Sequence, residues 1–144
     1  MSDTEREAIV AALDELLEAE RAGARVALAS AKGLPAEGAL GTLVHAIHHD
    51  EAHWCAMLAG EIERLGAPPS PRCGAFYGKA MAIADITERM TFLNRGQYWV
   101  VRKLDALLPL VADETLRARL ADMRAGHVEN IERTAQTLAA PPGV

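Results

Sequence analysis

Aromatic side chains are scarce in this chain of 144 residues, which has two Trp, two Tyr and two Phe. The core must therefore consist mainly of Ala, Leu, Ile, Val and Met, a composition that favours helices over a β-sandwich. Cysteines are scarce too, and Cys55 and Cys73 form neither a CxxC pair nor a disulfide framework. We therefore expect a reducing, cytoplasmic location.

Long apolar runs and clusters of positive charge are also missing. No segment approaches the roughly 20 apolar residues of a membrane-spanning helix, and the N-terminal sequence MSDTEREAIV has the wrong charge for a signal peptide. The formal net charge is −5, without any Lys/Arg cluster. We therefore expect no nucleic-acid partner and no membrane partner. No phosphate-binding glycine loop and no G-x-S-x-G motif is present, so catalytic residues stay unknown.

Apolar periodicity and helix-breaking residues divide the chain into four long helices. We predict one domain over 1–144, with long helices at about 4–32, 37–65, 86–108 and 113–139 and a short helical piece at about 75–83. The sequence GAPPSPRCG forms the one loop rich in proline and glycine. Four long helices joined mostly by short turns predict an all-α, antiparallel up-down four-helix bundle.

Three helix starts carry capping residues. Thr4 with Glu7 and Asp85 with Glu88 have the spacing of a capping box. Asp113 is the expected cap of the last helix. These positions set the predicted helix boundaries.

A polar residue interrupts the apolar stripe of every long helix, at Glu20, Glu51, Gln97 and His127. Glu20 and Glu51 lie about 15 and 16 residues from the turn near Pro35, on either side of it. Gln97 and His127 each lie about 15 residues from the turn near Ala112, so antiparallel packing brings all four to one height. Three further polar residues flank this layer, namely His48, Asn94 and Arg124. Buried carboxylates require hydrogen bonds, a counter-charge or a metal.

This polar layer resembles the metal site of ferritin-like di-iron carboxylate bundles. Those proteins place one Glu on each of two helices and a Glu-x-x-His motif on each of the other two. Three positions of that pattern are kept, by Glu20, Glu51 and His127. At the other three positions the chain has Trp54, Gln97 and Arg124.

The stretches LLEAERAGARVAL, HHDEAHWCAML, GAFYGKAMAIAD and LNRGQYWVVRKL also resemble a family of bacterial ferritin-like bundle proteins whose function is unassigned. They cover most of the chain. The resemblance implies a ferritin-like fold and points to no particular activity.

Three interpretations of the layer stay open. The first is an intact di-iron site, which the replacement of two ligands by Arg and Gln weakens, because the metals lose negative charge. The second is one iron, manganese or zinc ion at Glu20, Glu51 and His127, helped by His48 or Gln97, with redox chemistry at this site as a further expectation. The third is a metal-free structural or interaction module, in which the layer only fixes helix register.

The position of Arg124 should distinguish a metal from a salt bridge. An inward Arg124 would pair with the carboxylates and replace a cation. An Arg124 that reaches outward to Asp122 or Glu129 would leave the carboxylates in need of an ion or ordered water.

Two aromatic residues share the outer face of the third long helix. Phe92 and Trp99 lie seven residues apart on that face, which indicates a covered surface. The cover is either the segment AFYGKAMAI or a second copy of the chain in a homodimer.

Overall fold

The computed structural model describes residues 1–140. Its helices are α1 (Asp3–Ala31), α2 (Ala39–Arg64), α3 (Phe76–Met81), α4 (Ile86–Leu107) and α5 (Glu114–Ala139). A 3-10 turn at Leu108–Leu110 follows α4. Helix ends lie within about two residues of the predicted boundaries.

The helix starts agree with the predicted caps in two of three cases. The carboxylates of Asp85 and Asp113 each accept a hydrogen bond from the amide three residues later, at 2.9 and 3.0 Å. The cap predicted at Thr4 is wrong, because α1 begins earlier. The hydroxyl of Ser2 accepts the capping bond at 3.1 Å, and Thr4 lies in the first turn.

The four long helices form an all-α bundle, as predicted, and spatial neighbours are antiparallel. The predicted up-down order fails between α2 and α4, because the long connection between them returns the chain to the end where α2 began. Each packs against two neighbours, in the order α1, α2, α5, α4 around the bundle. Arg89 near the start of α4 donates to the Ser30 hydroxyl at the end of α1, at 3.2 Å. Arg64 at the end of α2 pairs with Asp113 before α5, at 3.1 Å. All neighbouring helices therefore run in opposite directions, and α2 runs parallel to α4 across the bundle.

The connection 65–85 must cross the length of the bundle to join α2 to α4. The connection runs along α1, where the Ser70 amide donates to Asp14 at 2.9 Å. Further along, the Arg25 guanidinium donates to the Cys73 sulfur at 3.0 Å. The short helix α3 then contacts both α1 and α4. This connection therefore forms an outer wall over the groove between α1 and α4.

The apolar core consists of two clusters, one toward each end of the bundle. The first contains Leu13, Leu17 and Leu58, and the second contains Val26 and Ile47, with the polar layer between them. Leu28 of α1 lies outside both clusters and is 45% exposed. Within residues 1–140, no helix is long and apolar enough to cross a bilayer.

The two aromatic residues on the outer face of α4 have different surroundings. Phe92 stacks on Phe76, with ring centroids 4.9 Å apart, so the segment that contains α3 covers it. Trp99 remains 36% exposed, with the Lys103 ammonium 5.3 Å from its ring centroid. A homodimer through this face stays a prediction.

Candidate metal centre

Glu20, Glu51 and His127 come together in the middle of the bundle, from α1, α2 and α5. Their exposures are 1%, 3% and 2%. One ligand atom of each lies within 4.8 Å of the others. The three residues that match the ferritin-like pattern can therefore share one metal ion.

The orientation of His127 leaves one ring nitrogen facing the centre. Its Nδ1 lies 2.9 Å from the carbonyl oxygen of Met123, which accepts, so Nδ1 carries the proton. A backbone bond of this kind is typical of metal-binding histidines. Nε2 faces Glu20 Oε1 in close contact. Two acceptors that face each other require either a proton on Nε2 or a cation between them.

The pKa of His127 reflects this contact. Burial lowers it, but the negative charge of Glu20 and the bond to Met123 outweigh burial, so the pKa lies above its usual value. Asp50 also raises it. Without a metal, the imidazole therefore tends to hold the second proton that the facing carboxylate demands.

Glu51 lies against the backbone of α1 at Gly23. A Cβ atom on Gly23 would lie 2.8 Å from Cδ of Glu51, a separation that real structures do not show. The Glu51 pKa is raised well above its usual value, first by burial and then by the charges of Glu20 and Asp50. This environment therefore favours the protonated, uncharged form of Glu51 when no metal is bound.

Several buried polar atoms of the layer have no hydrogen-bond partner among residues 1–140. They are Glu51 Oε2 and Gln97 Oε1, whereas Glu20 Oε1 and His127 Nε2 have only each other. An unpaired buried polar atom costs about 1–3 kcal/mol, so such a group is rare unless something satisfies it. Two carboxylate oxygens, an amide oxygen and an imidazole nitrogen are donors that fit a divalent cation.

The remaining predicted site residues lie at the edge of this group. Gln97 is 2% exposed, and its amide donates to Asn94 Oδ1 at 3.3 Å, which leaves Oε1 free. His48 lies outside the group of three, because its Nδ1 is 3.1 Å from the backbone oxygen of Ala24 and holds the ring against α1. The structure therefore keeps Gln97 beside the centre and directs His48 toward a carbonyl group.

Two of the residues that stand where the di-iron pattern has a ligand make other contacts in this structure. Trp54 packs on Gly126, where a Cβ would lie 3.2 Å from its Cζ2. Arg124 reaches outward and pairs with Asp105 on α4, at 2.5 Å. The sequence suggested Asp122 or Glu129 as the outward partner, and the structure has Asp105 instead. No arginine charge therefore enters the layer from position 124.

A cavity of about 540 Å³ connects this centre with the groove between α1 and α4. Its inner lining includes Glu20, Glu51 and Gln97. The connection around Cys73 and Phe76 forms another part of its wall. The cavity thus extends from the groove to the residues of the buried layer.

The comparisons with known proteins agree with this fold. The model of a domain of unknown function, DUF6306, matches residues 7–136. The chain belongs to the DUF6306 family. A crystal structure of a ferritin-like, diiron-carboxylate protein from Bacillus anthracis str. Ames is similar in fold, with a TM-score of 0.84 at 19% identity. The match covers 96% of this chain and 99% of that one. No curated protein matches the chain.

Three features of the DUF6306 chain's centre escaped the sequence analysis. They are the close approach at Gly23, the Met123 carbonyl and the bond from Asn130 to Asp50 at 3.0 Å. Of these three, only the close approach at Gly23 has a signal in the sequence. A glycine in a helix interior costs about 1 kcal/mol relative to alanine, so Gly23, one turn after Glu20, indicates that something approaches the backbone there.

Proposed function

We propose that the protein holds one divalent metal ion at Glu20, Glu51 and His127, with redox-active iron or manganese as the occupant. The observation that carries this proposal is the pair of acceptors, His127 Nε2 and Glu20 Oε1, that face each other in the buried layer. Carboxylates and imidazole suit iron, manganese and zinc alike. The proposal therefore has two parts: the protein binds an ion at this site, and that ion is redox-active.

The charge of the layer supports a divalent cation. Two carboxylates give −2, and a divalent ion with neutral His127 makes the centre electrically neutral in a setting where an unbalanced charge is costly. Arg124 adds no positive charge, since it pairs with Asp105. The outward arginine thus leaves the carboxylates without a competing cation from that position.

The ligand count supports one metal rather than two. Three ligand positions of the di-iron pattern are filled by Trp54, Gln97 and Arg124, and two of these side chains point to other contacts. A second ion would lack the carboxylates that bridge and neutralise it. Three protein ligands leave coordination positions free on the single ion, as in catalytic metal sites.

The cavity favours a metal site that can react with other molecules over a closed structural metal site. It reaches Glu20, Glu51 and Gln97 from the groove beside α4. A bound iron or manganese ion would supply one-electron or Lewis-acid chemistry at that inner end. The chain's own residues would bind the ion, hold the His127 ring through Met123 and exclude bulk water.

Metal analysis of protein purified without chelator tests the proposal. We expect close to one equivalent of metal per chain, and its loss in Glu51→Gln. The matched control is Glu61→Gln, since Glu61 is an equally buried glutamate of α2 that pairs with Arg64 at 2.8 Å instead. Iron, manganese and zinc titrations identify the preferred ion, and a reversible oxidation of the loaded protein tests the redox part.

A protein that takes up none of the three ions would overturn the proposal. It would then favour the metal-free module, in which the layer only fixes helix register. Equal loss of metal in Glu61→Gln and Glu51→Gln would also contradict it, because general destabilisation would explain both.

A further inference from the structure

We infer that the cavity beside the centre binds a small apolar molecule that carries one carboxylate group, with its apolar end directed toward Glu20, Glu51 and Gln97. The role of this molecule as a substrate rests on the proposed function, whereas its binding does not. The inference depends on the wall of the cavity, its inner end and the charges at its outer side.

The wall between the helices is apolar. It includes Phe76, Phe92, Leu93, Trp99 and Val100. The volume of about 540 Å³ falls in the range of ligand pockets. Apolar walls with a few converging polar groups are typical of small-molecule sites.

Gly96 of α4 lets an aromatic ring of the cavity wall pack directly on the helix. A Cβ on Gly96 would lie 2.9 Å from Cζ of Phe76. The absence of a side chain lets the Phe76 ring lie against α4 and stack on Phe92, with an angle of 16° between the rings. The ring therefore forms a wall, and the cavity stays open. A helix-interior glycine is unfavourable, so its presence here has a packing reason.

The inner end of the cavity reaches the buried polar layer. Gln97 Oε1 and Glu51 Oε2 are buried and have no hydrogen-bond partner among the described residues. Both side chains line the cavity. These atoms belong to the proposed metal centre, so a ligand whose apolar end lies there would be placed beside the bound ion.

The charges at the outer side favour an anion. Arg95 and Arg102 line the cavity, are exposed and form no ion pair within the described part of the chain. The facing acids are engaged: Glu15 pairs with Lys103 at 2.5 Å. Glu18 accepts a bond from the Ser70 hydroxyl at 2.8 Å. Guanidinium groups bind carboxylates with two parallel hydrogen bonds, so a carboxylate is the anion that fits.

Calorimetric titration with octanoate and with octanamide, its uncharged analogue, tests the inference. We expect octanoate to bind the metal-free protein, at least about tenfold more tightly than octanamide. The double variant Arg95→Gln/Arg102→Gln should lose this difference. Lys79→Gln is the charge control, because Lys79 is exposed and lies away from the cavity.

A second variant tests the cavity itself. Ala19→Leu places a larger side chain in the lining and should weaken both probes by about tenfold or more. Ala11→Leu, on an exposed position of the same helix, should leave both affinities unchanged. Equal binding of octanoate to Ala19→Leu and the parent protein, or equal affinity of the parent for the two probes, would overturn the inference.

Metal content measured on the same samples separates this inference from the proposed function. Octanoate binding by protein that takes up no metal supports the inference and overturns the proposed function. Metal uptake without binding of either probe overturns the inference alone. A cobalt-loaded sample adds a spectroscopic readout, since octanoate near the ion should change the visible absorption of bound cobalt.

Discussion

The carboxylate of Glu51 on α2 occupies the space that a side chain at Gly23 on α1 would need. A Cβ there would lie 2.8 Å from both Cδ and Oε1 of Glu51. The Glu51 carboxylate thus takes a position that only a glycine at residue 23 leaves open. This contact relates the spacing of two helices directly to the position of one proposed ligand.

Gly23→Ala should therefore weaken metal binding. The added methyl group displaces the Glu51 carboxylate, and we expect at least about a tenfold loss of metal affinity. Overpacking should cost about 1–3 kcal/mol, which outweighs the gain of about 1 kcal/mol in helix propensity. Metal titration and chemical denaturation measure the two effects.

Gly60→Ala is the matched control for that experiment. Gly60 lies in α2, and a Cβ there would have nothing within 4 Å. We expect a gain in stability of up to about 1 kcal/mol and unchanged metal binding. If Gly23→Ala gained stability in the same way and kept its metal, the close approach of Glu51 to Gly23 would not be needed for metal binding.

Substitutions at Arg124 should show whether this arginine competes with the metal for the carboxylates or has no effect on metal binding. Because its guanidinium pairs with Asp105 at 2.5 Å, Arg124→Ala should leave metal affinity unchanged and alter the melting temperature little. Arg124→Glu restores the carboxylate of the Glu-x-x-His pattern and should bind metal more tightly. Iron, manganese and zinc titrations measure both. Tighter binding in Arg124→Ala would show instead that the arginine competes for the carboxylates.

The metal-free protein should lose stability as the pH rises. Burial and the charges of Glu20 and Asp50 raise the pKa of Glu51, and the charge of Glu20 raises the pKa of His127 against the effect of burial. Both groups hold protons in the folded state that the unfolded chain releases at lower pH. Their stabilising contribution is therefore present at acidic pH and is lost as the pH rises through the folded-state pKa values.

Thermal unfolding in chelator, from about pH 5 to about pH 8, measures this loss. Glu51→Gln should make the decrease shallower, because residue 51 then no longer titrates. The metal-loaded protein should show the opposite trend, since the ion displaces protons from its ligands. A melting temperature of the metal-free protein that increases over this range would contradict the assigned protonation states.

Cys55 should react slowly with alkylating reagents. Burial first, and then the charges of Glu20 and Glu51, raise the pKa of its thiol to about 12, although Arg21 acts against them. The thiol is therefore protonated at neutral pH, and the thiolate is the reactive form. Peptide mass spectrometry of Cys73→Ala after iodoacetamide treatment measures the reaction at this one thiol.

Metal loading should accelerate that reaction. At a pH where the metal-free Glu51 and His127 have lost their protons, a bound ion neutralises the two carboxylates whose charge raises the Cys55 pKa. We expect the rate to increase on addition of the preferred ion and to be unaffected in Glu51→Gln. Rapid alkylation of the metal-free protein would mean that the thiol lies in a different environment.

The sequence alone determined the helices and the height of the polar layer. Apolar periodicity and the caps at Asp85 and Asp113 are local signals, and a helix rises by a constant amount per residue. Counting from the turns therefore placed Glu20 and His127 at one level, where the structure has them. A glutamate in the centre of an apolar stripe has only one direction to face.

Tertiary structure decided where the residues beside the stripe point. His48 approaches the Ala24 carbonyl, and Arg124 pairs with Asp105, nineteen residues earlier on a neighbouring helix. Side chains on the flank of a stripe can turn either way, and their partners come from other helices. The cavity likewise exists because the connection 65–85 runs along α1, and periodicity within one helix carries no information about the path of a loop.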